Sequence, residues 1–198
     1  MRSRFPTALL ILLVGVSGAF AQPGNDEVYR VYDAVIAEMF KGGKVTFDTQ
    51  AVLKMYVIND TTTTSFASDE NKENWGRVKI RLPKLSDDLI KVFESRLKSP
   101  TRLERRFSLG LPYVLVDHQE FEKVWDKSPD WWSEFYKKYP HSGGIVTFSN
   151  VAFSKGGDQA LVYFVHWCRQ LCGTGHYLLL NKKEKTWSVV NRGEMWIS

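Results

Sequence analysis

Only two cysteines occur in the 198 residues, too few for a disulfide-stapled scaffold or a zinc framework with several ions. No G-x-S-x-G, H-E-x-x-H or P-loop pattern occurs, so no local motif announces a hydrolase, metalloprotease or nucleotide site. There is no internal repeat and no low-complexity tract. Charge of one sign is scarce in excess: 27 basic residues face 22 acidic ones, a formal balance of +5. The densest basic cluster, Arg102, Arg105 and Arg106, is interrupted by Glu104. A nucleic-acid footprint needs a contiguous basic face, so nucleic acid is not the expected partner. Long apolar runs are missing too. The longest, Ala8 to Phe20, has 13 residues, against the roughly 20 that a membrane-spanning helix needs.

That short run has a different meaning. Arg2 and Arg4 precede it, and Ala19-Phe20-Ala21 follows it as a small-x-small cleavage site. This is the pattern of a secretory signal peptide, residues 1–21, with Gln22 as the new N-terminus. N-terminal sequencing of exported material should therefore begin at Gln22. No Cys follows the cleavage site, so lipid attachment is not expected, and no transmembrane segment remains. The mature chain, 22–198, is expected to be one domain outside the cytoplasm, periplasmic or secreted. Without Arg2 and Arg4 it carries 25 basic and 22 acidic residues. With 43% hydrophobic and 14% aromatic residues it can build a core unaided.

Asn25 stands as an N-cap before Asp26 and Glu27. Val28, Val31, Tyr32, Val35, Met39 and Phe40 then make one helix face, ended by Gly42-Gly43. Val52 to Ile58 reads as a strand closed by Asn59-Asp60. Thr61 to Thr64 either extends it or opens a polar loop through Asn74. Val78, Ile80 and Leu82 alternate with basic residues, which predicts a half-exposed strand stopped by Pro83. Ser86 caps a helix burying Leu89, Val92, Phe93 and Leu97. Leu111 to Val116 predicts a strand, with Asp117 and Glu120 forming a capping box for a short helix carrying Phe121, Val124 and Trp125. Ser128-Pro129-Asp130 caps the next helix. Four β-type runs follow: Ile145 to Phe153, Gln159 to Trp167, His176 to Asn181 and Trp187 to Asn191. Their short connections imply a four-stranded antiparallel meander at the C-terminus. Helices early and strands late read as an α+β fold, helices packed on an antiparallel sheet. Trp187 and Val189 should share a strand face, with Trp196 packed on the sheet opposite Met195 and Ile197.

From Leu109 onward, the runs FSNVAFSKGGDQALVYFVHWC, LCGTGHYLLLNKKEKTWSVV and MWIS, with EFYKKYP before them, resemble a recurring group of uncharacterised exported bacterial proteins. The resemblance implies a bacterial exported domain and brings no catalytic residue. In element order alone, the chain is similar to the cone-shaped NTF2-like and cystatin-like folds.

Chemistry concentrates in His166-Trp-Cys168-Arg-Gln-Leu-Cys172-Gly-Thr-Gly-His176. Two imidazoles and two sulfurs in this span could hold zinc or copper. Alternatively, the cysteines form a local disulfide in an oxidising compartment, or remain two free thiols. The disulfide is the favoured expectation, at the mouth of a β-hairpin, with His166 and His176 flanking it. Gly173-Thr174-Gly175 has the look of a phosphate loop but precedes a strand, which fits a turn needing positive φ instead. Trp125, Trp131, Trp132, Phe135, Tyr136 and Tyr139 form a dense set of rings. One helix face must be core, and a second face (Trp131, Trp132, Phe135, Tyr136 and Tyr139 being the candidates) could offer an aromatic binding surface. His118 beside Asp117 and Glu120 could serve as an acid/base group, although a helix start already accounts for these residues. Asn59-Asp60-Thr61 is a glycosylation sequon. No cofactor is expected and no catalytic set emerges. The expectation is a non-enzymatic exported domain that binds a ligand or partner at the bacterial envelope. A metal-binding protein or enzyme using the His166/Cys168/Cys172/His176 loop is the alternative.

Overall fold

A computed structural model describes residues 24–42, 44–45, 48–64, 75–120 and 130–198. The expected signal peptide, the Phe121, Val124 and Trp125 of the short helix expected after Asp117, and the Ser128-Pro129 of the next expected cap lie outside them. The fold is α+β. Its elements are α1 (Asn25–Met39), β1 (Lys44–Val45), β2 (Asp48–Val52), β3 (Met55–Asn59), α2 (Trp75–Arg81), α3 (Asp87–Arg96), β4 (Tyr113–Val116) and α4 (Trp131–Lys138), then β5 (Ser142–Phe148), β6 (Ala152–Phe153), β7 (Gln159–Arg169), β8 (Cys172–Lys183) and β9 (Thr186–Ile197). The large sheet runs β4-β3-β5-β7-β8-β9, with β6 added beside β7, while β1 and β2 pair separately.

The C-terminal half is the expected antiparallel meander: β5 pairs β7, β7 pairs β8, and β8 pairs β9. The other half departs from an all-antiparallel sheet, because β3 runs parallel to both of its neighbours, β4 and β5. Parallel neighbours need long crossovers, and α2, α3 and α4 occupy those connections. Among the described residues no helix is long and apolar enough to cross a membrane.

Both sheet faces are covered. On one, α1 buries Val31, Tyr32, Val35 and Ile36 against Val162, Phe164, Leu178 and Leu180. On the other, α2 and α3 cover Leu161, Tyr163, Tyr177 and Leu179. Strand alternation carries Val57, Ile145 and Trp167 to that second face as well, where α4 packs on them. The entry of α1 is pinned by Glu27, which accepts from Trp187 Nε1 at 2.8 Å and pairs with Lys182 at 3.0 Å. Asn25 lies inside this helix, one residue past the actual N-cap, Gly24. Ser86 caps α3 as expected, accepting from Leu89 N at 3.2 Å.

Residues 78–81 belong to α2 and Leu82 directly follows it, where alternation predicts strand. Val78 and Leu82 are buried while Ile80 is 81% exposed. Positions i and i+4 share a face under both period 2 and period 3.6, so only the middle residue distinguishes them. Ile80 is on the outside, and Trp75, Val78, Leu82 and Leu85 supply the packed stripe. The strand expected over Val52–Ile58 is interrupted at Leu53-Lys54, which separates β2 from β3.

Trp187 is buried and shares its face with Val189, as the alternation requires. Trp196 is half-buried, packs tilted against the Trp167 ring with centroids 4.9 Å apart, and donates from Nε1 to Tyr163 Oη at 2.7 Å. Met195 does not lie opposite it. Gly175 pairs with Trp196 and His176 with Glu194, so Met195 is the extra residue of a bulge and joins the α2/α3 core.

Candidate functional site

The parallel strands β3 and β4 end side by side, at Asn59 and Val116. Buried polar residues collect just beyond these C-terminal ends, where open mixed sheets commonly place binding sites. Asn59 and Asp60 are both buried. Asn59 Oδ1 accepts from Thr61 N at 3.3 Å, which turns Nδ2 toward His118 Nδ1 at 2.8 Å. An amide N–H can only donate, so the half-buried imidazole accepts at Nδ1 and carries its proton on Nε2. Asp60 accepts from Thr61 Oγ1 at 2.9 Å and His118 N at 3.3 Å, and pairs with Arg102 at 3.2 Å. Asp117 accepts from Gln119 N and Glu120 N, as a helix-capping residue does. His118 therefore sits in a structural joint. The sequon is buried within the same joint, so Asn59 has no room for a glycan.

The joint also fixes the segment 99–104. Leu103 N donates to Asp60 O at 2.6 Å, Thr62 N to Thr101 O at 2.9 Å, and Thr101 N to Thr62 Oγ1 at 2.7 Å. Thr62 Oγ1 meets Asn150 Oδ1 at 3.2 Å, and Asn150 Nδ2 donates to Arg96 O and Ser99 O, both at 2.9 Å. A cavity of about 380 Å³ opens beside this network. Its walls are the first two turns of α1 (Asn25, Val28, Tyr29, Tyr32), the end of α3 with the 99–104 segment, and the β5–β6 turn (Asn150, Val151, Phe153). Tyr29 is held by Glu104 N donating to its hydroxyl at 2.6 Å, and Tyr32 donates to Ser149 O at 2.9 Å. Three aromatic residues (Tyr29, Tyr32 and Phe153), two arginines (Arg96 and Arg102), Thr101 and Asn150 thus line one concavity. A volume of this size lies within the range of small-molecule sites.

The residues singled out in the sequence stand elsewhere. Cys168 and Cys172 are joined in a disulfide, Cα atoms 5.2 Å apart, across the tip of the β7–β8 hairpin. A disulfide suits an oxidising compartment. It also removes both thiolates from the four-ligand set His166/Cys168/Cys172/His176. His166 Nε2 lies 2.6 Å from the Gly143 carbonyl, to which it donates. His176 is buried with Nδ1 lacking a hydrogen-bond partner. Burial pushes both imidazoles down to about 4, with Gly143 partly opposing this at His166, and Arg192 and His166 adding to it at His176. Among the described residues, no group of three His, Cys, Asp or Glu is placed to hold a metal ion. Replacing both cysteines with Ser should cost about 2 kcal/mol, because the closed loop is short. The check is a modest fall in melting temperature with unchanged metal content. Stoichiometric zinc or copper in the wild type alone would overturn the disulfide reading.

Gly173 and Gly175 do not serve a positive-φ turn. They lie within β8 and neither has positive φ. A Cβ on Gly173 would overlap the Trp167 ring, and one on Gly175 would overlap Trp196 and the Tyr163 hydroxyl. These glycines are seats for aromatic rings, so no phosphate cradle exists here.

The candidate aromatic surface packs as core. Trp131, Trp132 and Phe135 are buried, at 4%, 8% and 6% exposure, and Tyr136 and Tyr139 are half-buried against them. Tyr136 donates from its hydroxyl to Cys168 O at 2.6 Å, which ties α4 to the hairpin. The rings turn inward because Val57, Ile145 and Trp167 on the sheet would otherwise be uncovered.

Sequence reasoning passed over Arg96, Asn150 and Tyr29, and noted Arg102 only as part of a basic cluster. Nothing local marks them, since Tyr29 and Asn150 are 121 positions apart and meet only in the fold. No protein-family model, curated protein or solved structure matches the chain.

Proposed function

We propose that the chain is an exported, non-enzymatic domain that binds a small ligand at the bacterial cell envelope, in the cavity between α1, the 99–104 segment and the β5–β6 turn. The observation that carries this reading is the cavity itself, with its 99–104 wall held by the Asp60, Thr62 and Asn150 network and its Tyr29 and Tyr32 rings fixed by Glu104 N and Ser149 O. Pre-positioned donors around a partly apolar concavity suit binding. Export is supported by the cleavable leader pattern and by the disulfide. The metal or enzyme alternative draws no support from the hairpin, whose thiolates are consumed and whose His166 is committed to a backbone carbonyl.

The test is ligand-observed NMR on the mature chain, 22–198, with sugars, amino acids, short peptides and organic acids. A true ligand should also raise the melting temperature, by about 2.7 kcal/mol of added stability at a hundred times its Kd. Ser99→Trp, which puts a large ring at the cavity wall, should abolish binding without unfolding the exposed turn. Binding that survives Ser99→Trp unchanged would place the site elsewhere.

A further inference from the structure

We propose that β9 is a dimerisation edge, along which two copies of this chain pair antiparallel with Gly193 on the two-fold axis. None of its residues lines the cavity, so the dimer goes beyond the ligand reading and does not depend on it. β9 ends the large sheet, and its 12 residues contrast with the 4 of β4 at the other end. Among the described residues only β8 bonds to its backbone. A long strand with an unpaired row of N–H and C=O groups is a template for another strand. β9 holds neither Pro nor Lys as a guard, and it exposes Val190 by 39% and Ile197 by 67%. Its bulges at Val190 and Met195 leave Asn191 to Glu194 as the regular stretch between them.

Symmetry and charge then select a second copy as the occupant. When two antiparallel copies of one strand pair about a two-fold axis normal to the sheet, one residue faces its own copy. Residues equally far on either side of that residue face each other. With Arg192 or Glu194 at the centre, like charges meet on the axis, which is destabilising. With Asn191 there, neither charge meets its opposite. With Gly193 there, Arg192 of each copy faces Glu194 of the other, so two opposite-charge pairs form. Arg192 and Glu194 share the α1 face, since they stand across from Leu178 and His176 of β8. No ion pair among the described residues engages either of them. Helices follow β9 to the seam on both faces. Met39 of α1 lies 3.9 Å from Arg192 Nη1, and Arg81 and Leu82 lie beside Gly193 on the opposite face. Joining the sheets brings these helices alongside their copies, which adds to the area that strand pairing buries.

Sedimentation of the mature chain, 22–198, over a dilution series at neutral pH tests this. The wild type is expected to be a dimer that dissociates on dilution. Arg192→Glu and Glu194→Arg each create two like-charge pairs, and each should weaken dimerisation by about tenfold or more. Mixing the two single variants restores two opposite-charge pairs, so heterodimers should form with an affinity near that of the wild type. The variant carrying both substitutions should recover self-association in the same way. Melting curves of the single variants are recorded alongside, and an unfolded variant would not recover on mixing. A wild type that stays monomeric throughout would overturn the dimer and leave this edge to an extended segment of another protein. A dimer that both single variants retain at full strength would place the contact elsewhere and overturn the proposal. Folded single variants that remain monomeric when mixed would overturn the pairing centred on Gly193.

Discussion

Acidification from pH 7 to pH 4.5 is expected to cost this protein several kcal/mol of stability through two buried imidazoles. His166 and His176 are diagonal neighbours on β7 and β8, because His166 pairs with Thr174 and Phe164 with His176. They share the sheet face that α1 covers, and the Phe40 ring lies 5.2 Å from His166. Arg192 and Glu194 face them from β9, with Glu194 directly across from His176. Burial holds both pKa values near 4 in the folded chain, against about 6.5 when unfolded. The folded state therefore binds fewer protons than the unfolded one in that window. Stability is complete above pH 6.5 and is lost as pH falls toward 4. A shift of this size corresponds to about 3 kcal/mol for His166. His176 contributes less independently, since part of its shift comes from Arg192 and from His166 itself.

Asp33 works in the opposite direction. Burial pushes its carboxyl up to about 6, with Ser108 N partly offsetting this. The folded state thus gains from protonating Asp33 over part of the same range, so the diagnostic is a difference between proteins. His166→Gln retains a donor for the Gly143 carbonyl. His176→Leu removes a ring whose Nδ1 has no partner, at little hydrogen-bonding cost. Urea unfolding of wild type and the double variant at pH 7, 5.5 and 4.5 makes the comparison. Equal losses in both proteins would show that the imidazoles do not carry the acid sensitivity.

Gly144→Ala is expected to be the most damaging single-methyl change, costing about 3–5 kcal/mol. Gly144 has φ of +105°, and a Cβ there would overlap the carbonyl oxygen of Trp167 and Cα of Cys168, both backbone atoms. The register shift between β3 and β5 falls at this point, with Met55 opposite Ser142 and Val57 opposite Ile145. The extra residue lets β5 bend against β7, and the backbone approach leaves no volume for a side chain. Gly157→Ala is the control. It shares positive φ, at +69°, but its Cβ would meet nothing within 4 Å, so only the backbone preference of roughly 1–2 kcal/mol is lost. Thermal melts of the two variants separate overlap from backbone preference. If Gly144→Ala melts like Gly157→Ala, the close approach is not what selects glycine.

The helix of Asn25 to Met39, the Ser86 cap and the long C-terminal hairpins were legible because their signals act over a turn or two. Apolar spacing, a capping hydroxyl and turn residues act locally. Val78 to Leu82 misled because the two periodicities agree at its ends, and Ile80 could be tested only against a sheet face that the segment never joins. The parallel placement of β3 was hidden for a related reason. Its neighbours β4 and β5 begin 54 and 83 residues beyond its last one, too far for any turn signal.

The site shows the same division. The Cys168–Cys172 pair was legible because four residues and a hairpin bring the sulfurs together. The cavity was not, since it joins α1 to the 99–104 segment and to Asn150. What the sequence determined by itself is the class of fold and the helix and hairpin signals with short-range causes, and it favoured the Cys168–Cys172 bond over a metal site or free thiols. The tertiary structure alone decided which rings are core, which glycines seat tryptophans, and where arginines meet tyrosines. Local signals set backbone conformation through contacts a few residues apart. Burial of a side chain depends on which distant surface covers it, and that surface exists only once the sheet has assembled.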